Sequence, residues 1–373
     1  MFAQGHRISE ARLEKPDEII SNYLAPAIKE LHNITEGDEA GQVFHEFAFF
    51  CDQQLQNADN LEDYQRIKKL RERKESEVQE LEDMIKSKNS QSREKDNLEA
   101  HRLKAKQWFD LDDREFQRLK DSRQVFLRQS LENYLLSLKA CDTYENDALR
   151  FSTLWLEHSE DESANRAVAK TIPFVGSRKF APLINQWTSR LLDVPGKFQD
   201  LLASLVLRIC VDHPYHGMYQ IFTSCKSKSG KDQVALARTA AAAKIIGEIK
   251  VHKRAAPFWH AIHNTNVLFH RFAGEKIDDV KAKPGMKVLM RKFSVGLRLE
   301  QEPLMHRVPP PTMKIRLRAD CDYSDTPTIT KFHNEFSIAS GISMPKILTV
   351  LASDGRKYKQ LVSLITVSTA TVG

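Results

Sequence analysis

Over residues 1 to 275 the apolar side chains recur at helical spacing, and glycine and proline gather at the breaks between runs. In LLASLVLRI, residues 201 to 209, Leu201, Leu202, Leu205, Val206 and Ile209 form one stripe at i, i+1, i+4, i+5 and i+8. Leu131, Tyr134, Leu135 and Leu138 form another. Ile172-Pro173-Phe174-Val175-Gly176 and Asp193-Val194-Pro195-Gly196 supply the turn residues that a helix interior does not tolerate. Amphipathic helices joined by short turns bury their stripes by stacking side by side. A mainly α fold of the solenoid type is expected.

Residues 61 to 106 carry 13 basic and 11 acidic residues around a thin apolar seam of Leu61, Tyr64, Ile67, Leu70, Val78, Leu81 and Ile85. Such mixed charge predicts two long exposed helices, broken near Lys88-Asn89-Ser90-Gln91-Ser92. The seam never sustains several strict heptads, so an intramolecular helical hairpin is expected before a coiled coil that binds a partner.

The pattern changes near Pro303. Met313, Ile315 and Leu317 alternate with Lys314, Arg316 and Arg318, a period of two that predicts a half-buried strand. Further on, residues 346–352 and 356–362 flank Ser353-Asp354-Gly355, and Asp-Gly between extended runs is a strong hairpin signal because glycine accepts the positive φ of the turn. A helical body therefore runs into a β-rich segment.

With 41% hydrophobic and 28% charged residues the chain can build cores, and disorder is not expected. No apolar run is long enough to span a bilayer, and MFAQGHRISEARLEKP lacks the apolar core of a secretory signal, so an intracellular setting without membrane contact is expected. Cys51, Cys141, Cys210, Cys225 and Cys321 are scattered and form no C-x-x-C pair, which points to reduced, packed thiols. Charge is uneven: residues 226 to 318 hold 20 Lys/Arg against 7 Asp/Glu, whereas residues 1 to 225 hold 31 against 38. The basic segment could meet nucleic-acid phosphates, an acidic partner or acidic surface of the same protein. Few aromatics interleave with its charges, which favours the last of these.

His213 and His216 in VDHPYHG offer two imidazoles beside Asp212 but no further ligand pair, and Pro214 between them fixes a turn. They are read as a structural turn between two helices, tolerant of substitution like a surface pair, and no metal site is assigned. His260, His263 and His270 lie among aromatics and are given no role. None of the common phosphate-loop, dinucleotide, nucleophile-elbow or zinc-protease motifs occurs, and no catalytic residue is assigned. Taken alone, the Ser353–Gly355 turn could present N–H groups and a hydroxyl to a phosphate or be a plain surface hairpin.

In order along the chain, LEKPDEIISNYLAPAIKEL, FHEFAFFCDQQLQ, the charged hairpin of residues 61 to 120, RFSTLWLEHSE, KFAPLINQWTSRL, FQDLLASLVLRICVDHPYHGMYQIF, VPPPTMKIRLRADCDY and SIASGISMPKILTVLASDGRKYKQLV occur with regular spacing. Together, over about residues 10 to 362, they resemble the junction of the FAT and kinase domains in ATM-type phosphatidylinositol-3-kinase-related protein kinases and their fungal telomere-maintenance relatives. The resemblance implies a FAT-type helical solenoid over residues 1–300, an incomplete kinase N-lobe over 301–362 and a tail outside the family over 363–373. It implies a nuclear serine/threonine kinase that uses ATP and Mg²⁺ and answers double-strand breaks at chromosomes and telomeres. The implied partners are the rest of the kinase, a dimer mate and an MRN-type end-binding complex, with DNA a weaker candidate. By position, Ser353, Asp354 and Gly355 inherit the role of the loop facing the ATP phosphates.

Two residues depart from that pattern. Ala352 stands where the family usually has glycine, and Ser363 follows Gln360-Leu361-Val362 where the family has the lysine that pairs with the ATP phosphates. The chain by itself is therefore expected to be inactive as a kinase, and a non-catalytic helical scaffold is the alternative reading. Val362-Ser363 can be encoded by GTAAGT, a splice-donor sequence, so the uncharged tail is expected to be intron read-through or a frame error.

Overall fold

The computed structural model describes residues 2–11, 13–31, 34–87, 93–225, 232–275, 283–340 and 344–363. It divides into two compact units, Met1–Val175 and Gly176–Gly373.

The first unit is helical: α1 (Phe2–Glu10), α2 (Pro16–Ile19), α3 (Ala25–Glu30), α4 (Asp38–Gln56), α5 (Ala58–Ser87), α6 (Arg93–Ala140), α7 (Asp147–Glu157) and α8 (Glu162–Thr171). Its core lies where α4 crosses the C-terminal half of α6. Phe44, Phe47, Ala48, Cys51 and Leu55 of α4 are buried, as are Leu127, Leu131, Tyr134, Leu135 and Leu138 of α6. The stripe predicted at Leu131–Leu138 is thus the core face of a helix. Inside this core Asp52 accepts from Tyr134 Oη at 2.9 Å, Gln56 Nε2 at 2.9 Å and the Arg150 guanidinium. Burial alone would raise its carboxyl pKa, but these donors outweigh burial and hold it below the usual range.

Beyond the core, α5 returns along the N-terminal half of α6 as the predicted hairpin. No residue of α5 is buried. The seam is closed by Tyr64 stacked on Phe116 at 5.5 Å, Arg71 lying over Phe109 and Phe116, and the Arg71–Asp113 and Arg102–Glu82 ion pairs. The predicted break at 88–92 lies outside the described residues.

In the second unit α9 (Ile184–Arg190), α10 (Lys197–Asp212), α11 (Pro214–Ser224), α12 (Gln233–Val251) and α13 (Ala256–Gly274) pack each on its neighbours. Leu202, Leu205, Val206 and Ile209 of the predicted α10 stripe are buried. The approach of α10 and α11 needs glycine at 217, where a Cβ would stand 2.9 Å from the Cα of Cys210. α14 (Ser294–Gln301) precedes most of an antiparallel sheet of β1 (Lys287–Leu289), β2 (Ile329–Phe332), β3 (Glu335–Ile338), β4 (Lys346–Ala352) and β5 (Lys357–Val362). β5 lines one side of β4, β2 and β3 share its other side, and β1 pairs with β3.

The β4–β5 hairpin falls where Asp354-Gly355 predicts it, with Gly355 at φ +76°. The strand expected at 313–318 does not form. Met313, Ile315 and Leu317 keep their alternating half-burial, but the run pairs with no strand. His216 Nε2 donates to the Ile315 carbonyl at 3.0 Å instead. A period of two reports a half-buried extended segment, and a ladder also needs a neighbour in register. The sheet also takes in β1, ahead of residue 301. All five cysteines are free, with Cys51 and Cys210 buried.

Candidate functional site

The β4–β5 hairpin has two unlike faces. Register sets Lys346 opposite Val362, Leu348 opposite Gln360 and Val350 opposite Tyr358. All of these but Tyr358 are buried. Phe332, opposite Val350, and Phe336, two residues from Ile338, belong to the same face. They meet α13 through Phe269–Phe332 and Phe272–Phe336 ring pairs at 6.3 and 5.2 Å.

Ile347 opposite Leu361, Thr349 opposite Lys359 and Leu351 opposite Lys357 form the other face. Ile347, Thr349 and Leu351 are half-buried, Leu361 is 63% exposed, and both lysines are exposed. An apolar strip edged by ammonium groups is suited to a flat apolar ring that carries an anionic group. Strand alternation places residue 363 on this open face, next after Leu361.

The turn at the far end is occupied by its own bonds. Ser353 N donates to Thr328 O at 2.9 Å, Gly355 N to Ala352 O at 2.9 Å and Arg356 N to Asp354 Oδ1 at 3.0 Å. Ser353 Oγ accepts from Thr328 N at 3.1 Å, and Tyr358 Oη donates to Asp354 Oδ2 at 2.9 Å. The Arg356 N–H bond is the main cause that lowers the Asp354 carboxyl pKa. What residues 353–355 offer a phosphate is thus narrow, mainly the hydroxyl hydrogen of Ser353, with the exposed Arg356 guanidinium next in sequence and the Asp354 carboxylate beside it. The hairpin does not bring Ser353, Asp354 and Gly355 together with residue 363. The length of β5 separates them, about 20 Å at ~3.3 Å per residue.

The VDHPYHG motif is where the sequence places it, with α10 ending at Asp212 and Pro214 opening α11. It is not a surface pair. His213 is fully buried, its Nδ1 2.7 Å from Tyr323 Oη and its Nε2 3.2 Å from Ser177 Oγ, which itself donates to Asp212. The consistent tautomer carries hydrogen on Nε2, which donates to Ser177, while Nδ1 accepts from Tyr323. Burial is the main cause that pushes the His213 pKa down to about 4 and also lowers that of His216. Residues this enclosed do not tolerate substitution as surface groups do, which corrects the expectation from sequence.

Lys346 and Gln360 carry no functional expectation from sequence, yet both are 3% exposed. The signal is present: both occupy positions that alternate with buried apolar residues, Leu348 and Val350 on β4 and Val362 on β5. Among the described residues no cluster of three or more His, Cys, Asp or Glu is placed to hold a metal, and no helix is long and apolar enough to cross a membrane. In the basic segment Lys244 pairs with Asp193 and Arg318 with Asp325, while residues 226–231 and 276–282 lie outside the described residues.

No protein-family model matches the chain. The serine/threonine-protein kinases tel1 of Emericella nidulans and Aspergillus oryzae are 58% and 56% identical over 96% of it. The chain spans 13% and 12% of their lengths. Among solved structures, the open conformation of CtTel1 matches with TM-score 0.86 and 47% identity, over 97% of this chain and 13% of that one. The FAT and kinase domain of CtTel1 matches with TM-score 0.84 and 46% identity, over 96% of this chain and 24% of that one. A complete CtTel1 dimer with C2 symmetry matches with TM-score 0.84 and 46% identity, over 97% of this chain and 13% of that one.

Proposed function

Because the chain belongs to the Tel1 family of ATM-type serine/threonine-protein kinases, of whose length it spans about an eighth, we propose that it brings the nucleotide-facing strands of such a kinase to the end of a FAT-type helical array. In this reading residues 1–300 are mainly helical but lend β1 to the sheet, 301–362 supply the rest of that sheet and begin the catalytic domain, and 363–373 stand outside it. The whole protein would transfer the γ-phosphoryl group of ATP to serine or threonine of checkpoint and chromatin proteins. It would act as a dimer in the nucleus, at DNA breaks and telomeres, with an MRN-type complex to recruit it. Direct DNA contact by residues 226 to 318 is a lesser part of the proposal, since Lys244 and Arg318 are already paired.

One observation carries the reading: the two-faced β4–β5 hairpin. Its packed face fixes the strands, and its open face offers Ile347, Leu351 and Leu361 to a purine ring. Lys357 and Lys359 share that face but stand about 20 and 13 Å short of residue 363 at a strand's rise per residue, so they do not replace a cation there. The apolar residues fit the ring of ATP in kind. They bind and orient the nucleotide and exclude water from one side of the ring. Mg²⁺, when bound with ATP, would neutralise phosphate charge, and no step is assigned to residues of this chain through it.

The phosphates would lie toward residue 363, since the 353–355 turn at the other end has already spent most of its donors. With serine at 363, residues 1–373 alone bind ATP weakly and show no phosphoryl transfer. Ser363→Lys should raise Mg-ATP affinity measured by titration calorimetry, and Ser353→Ala should leave it unchanged. Equal affinity of parent and Ser363→Lys would remove the phosphate site from this end, and a loss in Ser353→Ala would return it to the turn. Radiolabel transfer by the purified parent chain would defeat the claim of inactivity.

A further inference from the structure

The packed face of the same hairpin holds a cation. Lys346 Nζ donates to the carbonyl oxygens of Ala273 at 2.8 Å and Glu275 at 2.9 Å, with the Phe272 ring centroid 5.6 Å away. Ala273 lies in the last turn of α13, and Glu275 is its C-cap residue. The final carbonyls of a helix have no intrahelical donors and form the negative end of its dipole, so a cation there is doubly favoured. Water or the residues just past a helix commonly meet this need; here a strand remote in sequence does. Burying an ammonium is costly unless its donors are satisfied, and two carbonyls and a ring face supply that compensation.

Lys346 also sits at a particular place on the hairpin. It lies opposite Val362, the last residue of β5. The end of the hairpin that leads to residue 363 is therefore the end tied to α13. Gln360 on the same face adds little fastening, because its buried Nε2 makes no hydrogen bond among the described residues.

We propose that Lys346 is a positioning residue: by capping α13 from β4 it sets where the nucleotide-facing end of the hairpin stands, so that a shift of the helix is passed to the open face. The proposal rests on the nucleotide reading above. Lys346 does not touch the nucleotide, since its side chain leaves the opposite face of the sheet.

Two readouts on the 1–373 chain test it. Lys346→Met keeps the bulk of the stem and removes the donors, whereas Lys346→Arg keeps a cation with donors. Hydrogen exchange should rise in Lys346→Met at the last turn of α13, at 346–348 and at 360–362, while α12 stays as in the parent, and Lys346→Arg should restore protection. Parent-like protection in Lys346→Met, or equal loss in α12, overturns the proposal. In a Ser363→Lys background, Lys346→Met should weaken Mg-ATP binding by about threefold to tenfold, which is the loss of on the order of 1 kcal/mol of binding, with Lys346→Arg within about twofold. Local loss of protection with unchanged affinity overturns the positioning role and leaves the nucleotide face standing. Absence of binding by the Ser363→Lys chain itself sinks the nucleotide reading, and the coupling with it. Should Lys346→Met fail to fold, Lys346→Gln keeps a donor on a shorter stem and is expected to shift both readouts the same way; equality with the parent in both overturns the proposal.

Discussion

The α5–α6 hairpin and the β4–β5 hairpin are both antiparallel returns of the chain, and they are held in opposite ways. α5 buries no residue, and its seam is Tyr64, Arg71 and a few ion pairs at partly exposed positions. β4 buries every second side chain on one face, and that face of the sheet meets α13 through Lys346 and the Phe269–Phe332 and Phe272–Phe336 ring pairs. The helical hairpin can lose any one contact and keep its shape, because each helix makes its own backbone bonds. The strand hairpin owes its position to one face, and that leaves the other face free for a ligand.

The largest expected effect breaks the strand side of this comparison. Phe336 is 1% exposed between Phe272 and Phe293. Phe336→Ala should cost about 3–5 kcal/mol, the range for emptying an aromatic site in a core. Urea unfolding followed by a probe in the second unit measures it. A loss below about 1 kcal/mol would mean that the sheet is not anchored through this face.

Acid should separate the two units next. His213 is fully buried with its pKa down to about 4, so the folded state takes up its proton less readily than the unfolded chain. Its contribution is fully present above the unfolded value of about 6.5 and is lost as pH falls toward 4, on the order of 2 kcal/mol by pH 5. His216, also lowered, acts in the same direction. In the first unit the histidines oppose each other. Burial lowers the pKa of His158, whereas for His45 the hydrogen bond and charge of Asp147 outweigh burial and raise it. Asp52, held below the usual range, contributes stability that is present above the unfolded carboxyl value of about 3.9 and is lost as the pH falls from there through its depressed folded value, so pH 5 barely touches it. Thermal unfolding at pH 7 and pH 5 should therefore move the second unit down and leave the first nearly in place. A larger drop in the first unit would reverse the assignment.

What the sequence made legible follows the same division. Helical stripes such as Leu202–Ile209 and the Asp-Gly turn could be read directly, because period and turn chemistry are local properties. The segment 313–318 showed its period but not its lack of a partner strand, since pairing depends on a neighbour that local pattern does not name. His213 looked like a turn residue and is one, yet its burial comes from Tyr323 and Ser177, remote in sequence. Lys346 was only half legible: its phase with Leu348 and Val350 marks the buried face, but the helix end it meets there is remote in sequence. A lysine at the head of a strand reads as a solvated end until α13 is placed above it.

A smaller effect probes the helical hairpin. Arg71→Ala removes the pair to Asp113 and the stacking on Phe109 and Phe116, all at partly exposed positions. Pairs of this kind contribute about 0–1 kcal/mol and weaken with salt. The helical circular dichroism of the chain should stay unchanged, and the small loss of stability should shrink further at high ionic strength. A salt-independent loss of several kcal/mol would show that the seam behaves as a core.

The smallest effect concerns the turn itself. Asp354 is exposed, and its carboxylate accepts from the Arg356 N–H and the Tyr358 hydroxyl, so its work is to close the turn. Asp354→Ala removes two exposed hydrogen bonds, which water replaces at little cost. Gly355, at φ +76°, still allows the chain to reverse. The strand register should survive, seen as unchanged exchange protection at Leu348 and Val350. In the Ser363→Lys chain the affinity for Mg-ATP should stay within about twofold of the parent or rise, since a negative charge is removed from the end of the sheet away from the phosphates. A clear loss of affinity would place the phosphates at the turn after all, and the two ends of the hairpin would then exchange roles.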